Sequence, residues 1–185
     1  MANEKKYKGY FIEEIRFLPM GKKIFATYDE VSEFILCTLP KRGGLYYYKK
    51  QRMKCDSNIL VLFQYDGHLI GSAVLQATND NPTRLGNEKY YRYYQFASET
   101  IQLFEVPING LEYSAIDSSF TRFGQGMKKV PLDYFSAVTK LINNRDTFIT
   151  SLGLCDTLPP GQYYLCWLGR SNNTHPLVKK VEIMN

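Results

Sequence analysis

The sequence predicts an α+β fold that is rich in strands and carries two main helices. Its 185 residues include 15 tyrosines and 11 phenylalanines but one tryptophan, and flat aromatic rings suit the pleated, half-buried surface of a sheet. Two segments, 27–39 and 131–143, carry helix start signals followed by apolar residues at helical spacing. A content of 44% hydrophobic and 22% charged residues is typical of a soluble globular protein with a sizeable core.

The first elements are a strand and a helix. Residues Tyr10 to Phe17 alternate imperfectly between apolar and polar, which predicts a strand. Thr27 followed three residues later by Glu30 is a capping box. The inward positions after it recur at helical spacing: Val31, Phe34, Ile35 and Thr38. We therefore predict a helix from Tyr28 to Leu39, with Pro40 at its end.

A hairpin of two apolar strands forms the next part of the predicted sheet. Residues 58–65 and 68–75 flank Asp66-Gly67, the favoured pair for a two-residue hairpin turn. Both strands are continuously apolar, so we expect them near the centre of a sheet or barrel. Before this hairpin, Gly43-Gly44 breaks the chain, and LYYYKK over 45–50 predicts a strand with tyrosines on both faces.

The remaining elements have clear signals as far as residue 143. A polar loop is predicted over 76–87, and strands over 90–96 and 100–108 follow it. A second loop, 117–129, leads to a helix that starts at Pro131 and runs to Asn143.

Beyond that helix the signals are weaker. Strands are predicted over 162–168 and 177–183. We expect one main domain of residues 1–145, with residues 146–185 as a strand extension packed on it.

The charge of the chain is concentrated in one segment. Residues 41–54, KRGGLYYYKKQRMK, hold six basic side chains and no acidic one, whereas the whole chain has a net charge of +5. Basic side chains attract a phosphate backbone and tyrosine rings stack on bases, so this segment favours nucleic-acid binding. An ordinary strand with a solvated charged face is the alternative that the segment alone leaves open.

Groups for catalysis or metal binding are few. His68 follows a tight turn and His175 precedes a proline, and neither has a local partner typical of a catalytic triad. The four cysteines lie far apart without a CxxC pair, which argues against a zinc site and against a disulfide framework. We expect no enzymatic activity and no cofactor.

Membrane association is not expected either. The longest apolar runs are much shorter than the roughly 20 residues of a membrane-spanning helix. The first residues also lack the apolar stretch of a secretory signal. We therefore expect a cytoplasmic protein.

The order of elements over residues 10–145, and above all the hairpin LVLFQYDGHLIGSAVL, resembles the PUA-like superfamily of the EVE and ASCH type. Within that group the chain is similar to the N-terminal specificity domains of modification-dependent restriction systems. This resemblance implies a small, strongly bent mixed β-barrel with a cleft that holds a flipped or single-stranded base. Such a cleft needs aromatic walls, polar groups for the base edge and basic groups for phosphates.

The sequence supplies candidates for each of these roles. The candidate aromatic walls are Tyr46, Tyr47, Tyr48 and Tyr65. The candidates for reading a base edge are Asp66 and Asn79. The candidate phosphate contacts are Lys49, Lys50, Arg52, Arg122, Lys128 and Lys129. The second-best contact candidates are Phe120 and Phe123, two aromatic residues expected to be exposed beside Arg122.

Several of these residues also have a purely structural explanation. Successive side chains of a strand face opposite ways, so Tyr46 and Tyr48 share one face and Tyr47 lies on the other. One of the two faces is therefore expected in the core. Asp66 is most simply a turn former.

Taken together, these features predict a nucleic-acid-binding module that holds one base, plain or modified. DNA is the expected partner ahead of RNA, and a nuclease or motor on another segment or subunit would act with it in a restriction or defence system. Two alternatives stay open: a protein-interaction module of a phage or host defence factor, and a small nucleotide-binding protein or enzyme. Tyrosine and arginine are enriched at protein interfaces as well.

Overall fold

The architecture is mixed α+β, with a branched sheet, two main helical segments and a separate short hairpin. A computed structural model describes residues 5–48, 53–84, 90–124 and 126–148. The described strands are β1 Lys6–Tyr7, β2 Tyr10–Phe11, β3 Glu14–Pro19, β4 Leu45–Tyr48, β5 Ile59–Tyr65, β6 His68–Arg84, β7 Tyr90–Phe96, β8 Gln102–Ile108, β9 Lys129–Val130 and β10 Thr147–Phe148. The helices are α1 Tyr28–Glu33, α2 Leu39–Lys41, α3 Gly110–Ser114 and α4 Phe135–Asn143.

The sheet runs along an open path in the order β10-β8-β6-β5-β3-β9. Strand β7 pairs with the second half of β6, and β4 pairs with β7. Only β3 and β5 are parallel among the described pairs, and the helical segment crosses between them. The predicted strong bend and closure into a barrel are not confirmed, because the described strand pairs leave the sheet open.

The β5–β6 hairpin is confirmed as predicted. Asp66 and Gly67 have φ angles of +46° and +76°, the positive values that a type I′ turn requires at both central positions. Every residue of β5 is buried, so the continuous apolar sequence corresponds to a strand covered on both faces.

The polar loop predicted over 76–87 is wrong for the residues up to Arg84. Strand β6 continues through them and pairs with β7 from Leu75–Phe96 to Arg84–Tyr90. Register shifts between Leu75 and Ala77, and between Asn79 and Thr83, absorb the irregular sequence. Local polarity suggested a loop, whereas pairing with the next strand, β7, satisfies the backbone hydrogen bonds here.

The first helical segment confirms the predicted capping and extends further than predicted. The Thr27 hydroxyl accepts the Glu30 N–H at 3.2 Å, and the Glu30 carboxylate accepts the Ala26 N–H at 2.6 Å. A π-helical turn over Phe34–Thr38 connects α1 to α2, and the helix passes Pro40 to end at Lys41. The wider turn ahead of Pro40 accommodates the proline, which has no N–H to donate.

The other elements confirm the predicted order with two changes. A 3₁₀ turn at Leu132–Tyr134 and α4 form the predicted second helix. The predicted first strand is divided into β2 and β3. Helix α3 was not predicted; the Asn109 side chain accepts the Glu112 N–H at 3.0 Å and caps it.

Two apolar clusters cover the opposite faces of the central strands. The α1 cluster lies between the sheet and the first helical segment; its buried members include Val31, Ile35, Leu39, Tyr46, Tyr48, Val61, Phe63, Tyr65 and Tyr94. The α4 cluster lies on the other face; its buried members include Phe17, Leu60, Leu62, Phe104, Tyr113, Phe120, Phe123, Phe135 and Val138. Alternate residues of β5 thus contribute to different clusters.

Gly44 controls how β4 joins the sheet. Its φ is +80°, and a Cβ at this position would overlap the carbonyl oxygen of Phe96. The Gly44 carbonyl also accepts the Phe96 N–H at 3.0 Å. Neighbouring Gly43 has a φ of +63° but open space where its Cβ would be. Both glycines adopt a left-handed backbone conformation, which favours glycine. At Gly44 the backbone of Phe96 also leaves no space for a Cβ atom.

We expect Gly44→Ala to lower the free energy of unfolding by roughly 3 kcal/mol or more, because a left-handed backbone is strained and the β4–β7 contact must also open. The matched control Gly43→Ala should cost only about 1–2 kcal/mol, the strain alone. Urea denaturation followed by circular dichroism measures both. Equal losses for the two variants would contradict the importance of the close approach.

Candidate nucleic-acid interface

The inner face of β4 belongs to the core. Tyr46 and Tyr48 are 8% and 9% exposed and lie in the α1 cluster. Their rings stack on Tyr94, with centroids 6.0 Å and 4.2 Å from it. The prediction that one face of this strand is buried is confirmed. The predicted role of Tyr46 and Tyr48 as walls of an open base cleft is corrected, because both rings are packed in the core.

Tyr94 anchors this stack. Its hydroxyl oxygen accepts the N–H of Met53 at 2.9 Å, and both residues are fully buried. Burial raises the pKa of the Tyr94 hydroxyl above its ordinary value, so the neutral, hydrogen-bonding form is retained. The stacked rings of Tyr46, Tyr48 and Tyr94 therefore pack behind β4 and β7 and hold both strands in place.

The outer face of the same strands carries a row of polar and aromatic side chains. The strand registers place Tyr47 opposite Tyr93, and Tyr93 opposite Asn79. Directly paired residues of antiparallel strands lie on the same face, and all three are partly exposed. The Arg42 guanidinium lies 5.6 Å from the centre of the Tyr47 ring. We call Tyr47, Tyr93, Asn79 and Arg42 the tyrosine row.

The tyrosine row contains two aromatic rings in contact with each other. The Tyr47 and Tyr93 rings meet edge to face, with centroids 6.1 Å apart and planes at 74°. The neighbouring positions on this face are Leu45 and Gln95, and the Gln95 amide donates to the Gly43 carbonyl at 2.5 Å. Two predicted residues, Tyr47 and Asn79, are thus brought together. The site prediction did not name Tyr93 and Arg42, although strand alternation and the basic segment indicated both.

Three predicted phosphate contacts, Lys49, Lys50 and Arg52, lie outside the described residues. They follow β4 directly in the sequence. The role predicted for them stays a prediction.

Tyr65 and Asp66 are away from the tyrosine row. Tyr65 is buried in the α1 cluster and its hydroxyl donates to the Phe25 carbonyl at 3.1 Å, so its role as a wall of an open cleft is corrected. Asp66 is exposed in the hairpin turn and forms an ion pair with Lys22 at 2.6 Å. Its turn-forming role is confirmed by its positive φ.

The prediction that Phe120 and Phe123 are exposed is wrong. Both are buried in the α4 cluster, with ring centroids 4.6 Å apart, and both pack on Tyr113. An irregular segment can bury its rings when a helix and a sheet leave room between them. Arg122, between the two rings in sequence, is exposed.

The two predicted lysines beside β3 are exposed. Lys129 forms an ion pair with Glu14 at 2.9 Å, and Glu14 also pairs with Arg16. Lys128 is exposed next to it, and its backbone carbonyl accepts the Phe17 N–H at 3.0 Å.

A cavity of about 480 Å³ opens at the β5–β6 turn. The segment 19–24, the turn residues and Phe123 line it, together with Gln64 from β5. Gln64 is 5% exposed. The sequence contained a signal for this residue, since Gln64 interrupts an otherwise apolar strand.

Two structural features are absent from the part of the chain that the structure describes. No helix there is both long and apolar enough to cross a membrane. Over the same residues, no three side chains among His, Cys, Asp and Glu come together as a metal site would require.

The similarities to known proteins that are described below are distant. No family model matches the chain, and no curated protein matches it. The ASCH protein from Zymomonas mobilis has a similar structure, with a TM-score of 0.44 and 11% identity over 71% of this chain and 96% of that one.

Two YTH domains are similar to the same degree. The Pho92 YTH domain in complex with m6A has a TM-score of 0.43 and 8% identity, over 72% of this chain and 85% of that one. The YTH domain of Zygosaccharomyces rouxii MRB1, in complex with N6-methyladenosine RNA, has a TM-score of 0.42 and 9% identity, over 73% and 90%. At TM-scores below 0.5, the function of this chain has to be argued from its own residues.

The inner and outer faces of β7 should respond differently to loss of a hydroxyl. We expect Tyr94→Phe to lower the free energy of unfolding by about 1–3 kcal/mol, because the buried Met53 N–H loses its acceptor. Tyr93→Phe, one residue away on the outer face, should change it by less than about 0.5 kcal/mol. Urea denaturation of both variants measures the difference; similar losses would contradict the assignment of the two faces.

Proposed function

We propose that this protein is a nucleic-acid-binding module that stacks the bases of a single strand on the tyrosine row. The observation that carries the proposal is the position of Tyr47 and Tyr93 on the outer face of the sheet, with the Arg42 guanidinium against the Tyr47 ring. Stacking of a base on an aromatic side chain contributes about 1–3 kcal/mol and tolerates any base, because every base has a π face.

The local charge supports the same ligand. Two members of the tyrosine row, Arg42 and Tyr47, belong to the segment 41–54, which carries six basic residues in a chain whose net charge is +5. A guanidinium beside a tyrosine ring can pair with a phosphate while it remains stacked on the ring. Neutralised phosphates release counterions, so affinity should fall as the salt concentration rises.

The buried tyrosines contribute indirectly to this surface. Tyr48 and Tyr94 stack at 4.2 Å behind the strands that carry Tyr47 and Tyr93. A surface fixed in this way loses little conformational entropy when a ligand binds.

We further propose, from the sequence resemblance, that the chain recognises one base, plain or modified, as the specificity part of a restriction or defence system. In this proposal the chain binds DNA ahead of RNA and catalyses no reaction itself. A nuclease or motor on another segment or subunit would cleave or move the DNA.

Substitutions of Tyr47 separate stacking from other effects. Tyr47→Ala should weaken binding of a fluorescein-labelled 12-nucleotide strand by about 5- to 100-fold, the cost of one stacked base, as measured by fluorescence anisotropy. Tyr47→Phe keeps the ring and should bind within about twofold of the unchanged protein. If the unchanged protein fails to bind at low salt, the proposal is wrong.

The charge contribution has a separate test. Arg42→Gln should reduce the slope of log affinity against log salt by about one, because one phosphate contact is lost. Lys140→Gln, an exposed change on α4, should leave the slope unchanged. A slope that stays constant in Arg42→Gln would remove this residue from the interface.

The finer proposal requires a panel of ligands. Single- and double-stranded DNA and RNA of one sequence, with and without methylated cytosine, should give the tightest binding for a DNA member. Association with a protein that is insensitive to salt, together with indifference to all of these strands, would support the protein-interaction alternative instead.

A further inference from the structure

Strand β4 lies at an edge of the sheet in the part of the chain that the structure describes. It pairs with β7 on one side, and no described strand pairs with it on the other. We call this second side the open side of β4. An edge strand presents main-chain N–H and C=O groups that can pair with another extended chain. The open side therefore has the groups that a further strand needs.

The hydrogen bond between Gly44 and Phe96 shows which residues of β4 face the open side. The Phe96 N–H donates to the Gly44 carbonyl at 3.0 Å, so residue 44 directs its main-chain groups toward β7. Successive residues of an antiparallel strand direct these groups to opposite sides. Tyr46 therefore faces β7, whereas the main-chain groups of Leu45 and Tyr47 point to the open side.

Tyr47 contributes both a donor and an acceptor to the open side. The Leu45 N–H already donates to the Arg42 carbonyl at 3.3 Å. Among the described residues, none hydrogen-bonds to the main-chain N–H or C=O of Tyr47. A residue of an antiparallel strand exchanges two hydrogen bonds with such a pair of groups. A phosphodiester backbone carries no N–H donor, so the open side favours a peptide over a nucleic acid.

Three devices that commonly protect edge strands are absent from the residues of β4. The sequence of this strand, LYYY, contains neither a charged residue nor a proline, and its register with β7 shows no bulge. Charges, prolines and bulges at an edge keep other strands from pairing with it. The residues of β4 therefore leave its open side able to pair.

The charge beside this edge selects among extended partners. Segment 41–54 carries six basic residues and no acidic one, and Lys41, Arg42 and Lys54 within it are exposed. The Arg42 guanidinium lies 5.6 Å from the centre of the Tyr47 ring. A second copy of the chain would bring two of these basic segments together, and like charges oppose strand pairing. An acidic peptide has the complementary charge.

The two faces of β4 determine which side chains the peptide needs. A peptide residue opposite Tyr47 lies on the outer face, where an acidic side chain can pair with Arg42. The peptide residues before and after it lie on the inner face, beside the nearly buried rings of Tyr46 and Tyr48. Apolar side chains gain free energy in this second environment because they leave water.

We propose that the open side of β4 binds an extended peptide of alternating acidic and apolar residues, which pairs antiparallel with β4 through the main chain of Tyr47. Main-chain hydrogen bonds provide affinity in this mode of recognition, and alternate side chains provide specificity. The pairing does not require bases to stack on the tyrosine row. This inference goes beyond the proposed nucleic-acid binding, and each of the two can fail without the other.

The first test uses the full-length protein and a fluorescein-labelled seven-residue peptide in which valine and glutamate alternate. Fluorescence anisotropy should give a Kd below about 1 mM. A peptide with lysine in place of glutamate should bind about tenfold more weakly or worse. If the acidic peptide does not bind, or if the lysine peptide binds equally well, the proposal is wrong.

Methylated peptides test the main-chain pairing without any change to the protein. The glutamate N–H groups of the peptide point toward β4 in this arrangement, and the valine N–H groups point away from it. Methylation of the glutamate nitrogens should therefore abolish binding, whereas methylation of the valine nitrogens should change the Kd by less than about threefold. Equal effects of the two methylations would overturn the proposal.

Amide hydrogen exchange, followed by nuclear magnetic resonance, locates the peptide on the strand. Binding should slow the exchange of the Tyr47 N–H and leave that of Tyr46, which faces β7, almost unchanged. A peptide that binds without slowing Tyr47 would contradict the proposal. Slow exchange of Tyr47 before any peptide is added would show that the edge is already covered, by this chain itself in a monomer or by a second copy in a dimer. Either result would overturn the acidic-peptide assignment.

Variants separate the main-chain groups from the ring and the charge. Tyr47→Pro removes the N–H at an edge position that tolerates proline, and it should weaken the acidic peptide about tenfold more than Tyr47→Ala, which keeps the N–H. Arg42→Glu should weaken the acidic peptide about tenfold and strengthen the lysine peptide. Lys140→Glu, an exposed change on α4, is the matched control and should change neither Kd by more than about twofold. Equal effects of Arg42→Glu and Lys140→Glu would remove the edge of β4 from the binding site.

Discussion

The close approach of Gly44 to Phe96 is the contact on which the tyrosine strand depends. Without a side chain at residue 44, the backbone of β4 can lie against that of β7, and a hydrogen bond of 3.0 Å joins them. This contact sets the register, and the register places Tyr47 opposite Tyr93. A shift of one residue would exchange the two faces and bury the residues that now face outward.

The same strand therefore serves two purposes. Its inner tyrosines fill space between the sheet and the first helical segment, where Tyr46 also meets Phe34 edge to face at 5.5 Å. Its outer tyrosine is held at the surface by the packing behind it. A short strand of four residues thus contributes to the stability of the fold and to the proposed interface, because strand side chains alternate between two environments.

Local signals in the sequence predicted most elements, and contacts between elements explain most of the errors. The Asp66-Gly67 turn and the Thr27 cap depend on neighbouring residues, so both could be predicted. The extension of β6 depends on its pairing with β7, and the burial of Phe120 and Phe123 depends on their packing in the α4 cluster. Local sequence predicted β7 and α4 but not these contacts. The alternation at 45–48 predicted two faces, but only the fold shows which face is buried. Gln64 interrupts an otherwise apolar strand, but the predicted site did not include it.

The central strand β5 contributes side chains to both apolar clusters, and this arrangement determines how the protein unfolds. Leu60 and Leu62 contribute to the α4 cluster while Val61 and Phe63, between and beside them, contribute to the α1 cluster. Neither cluster can be exposed without disturbing a strand that the other requires, so both should melt as one cooperative unit. Amide hydrogens along β5 should consequently exchange with solvent only when the whole domain unfolds.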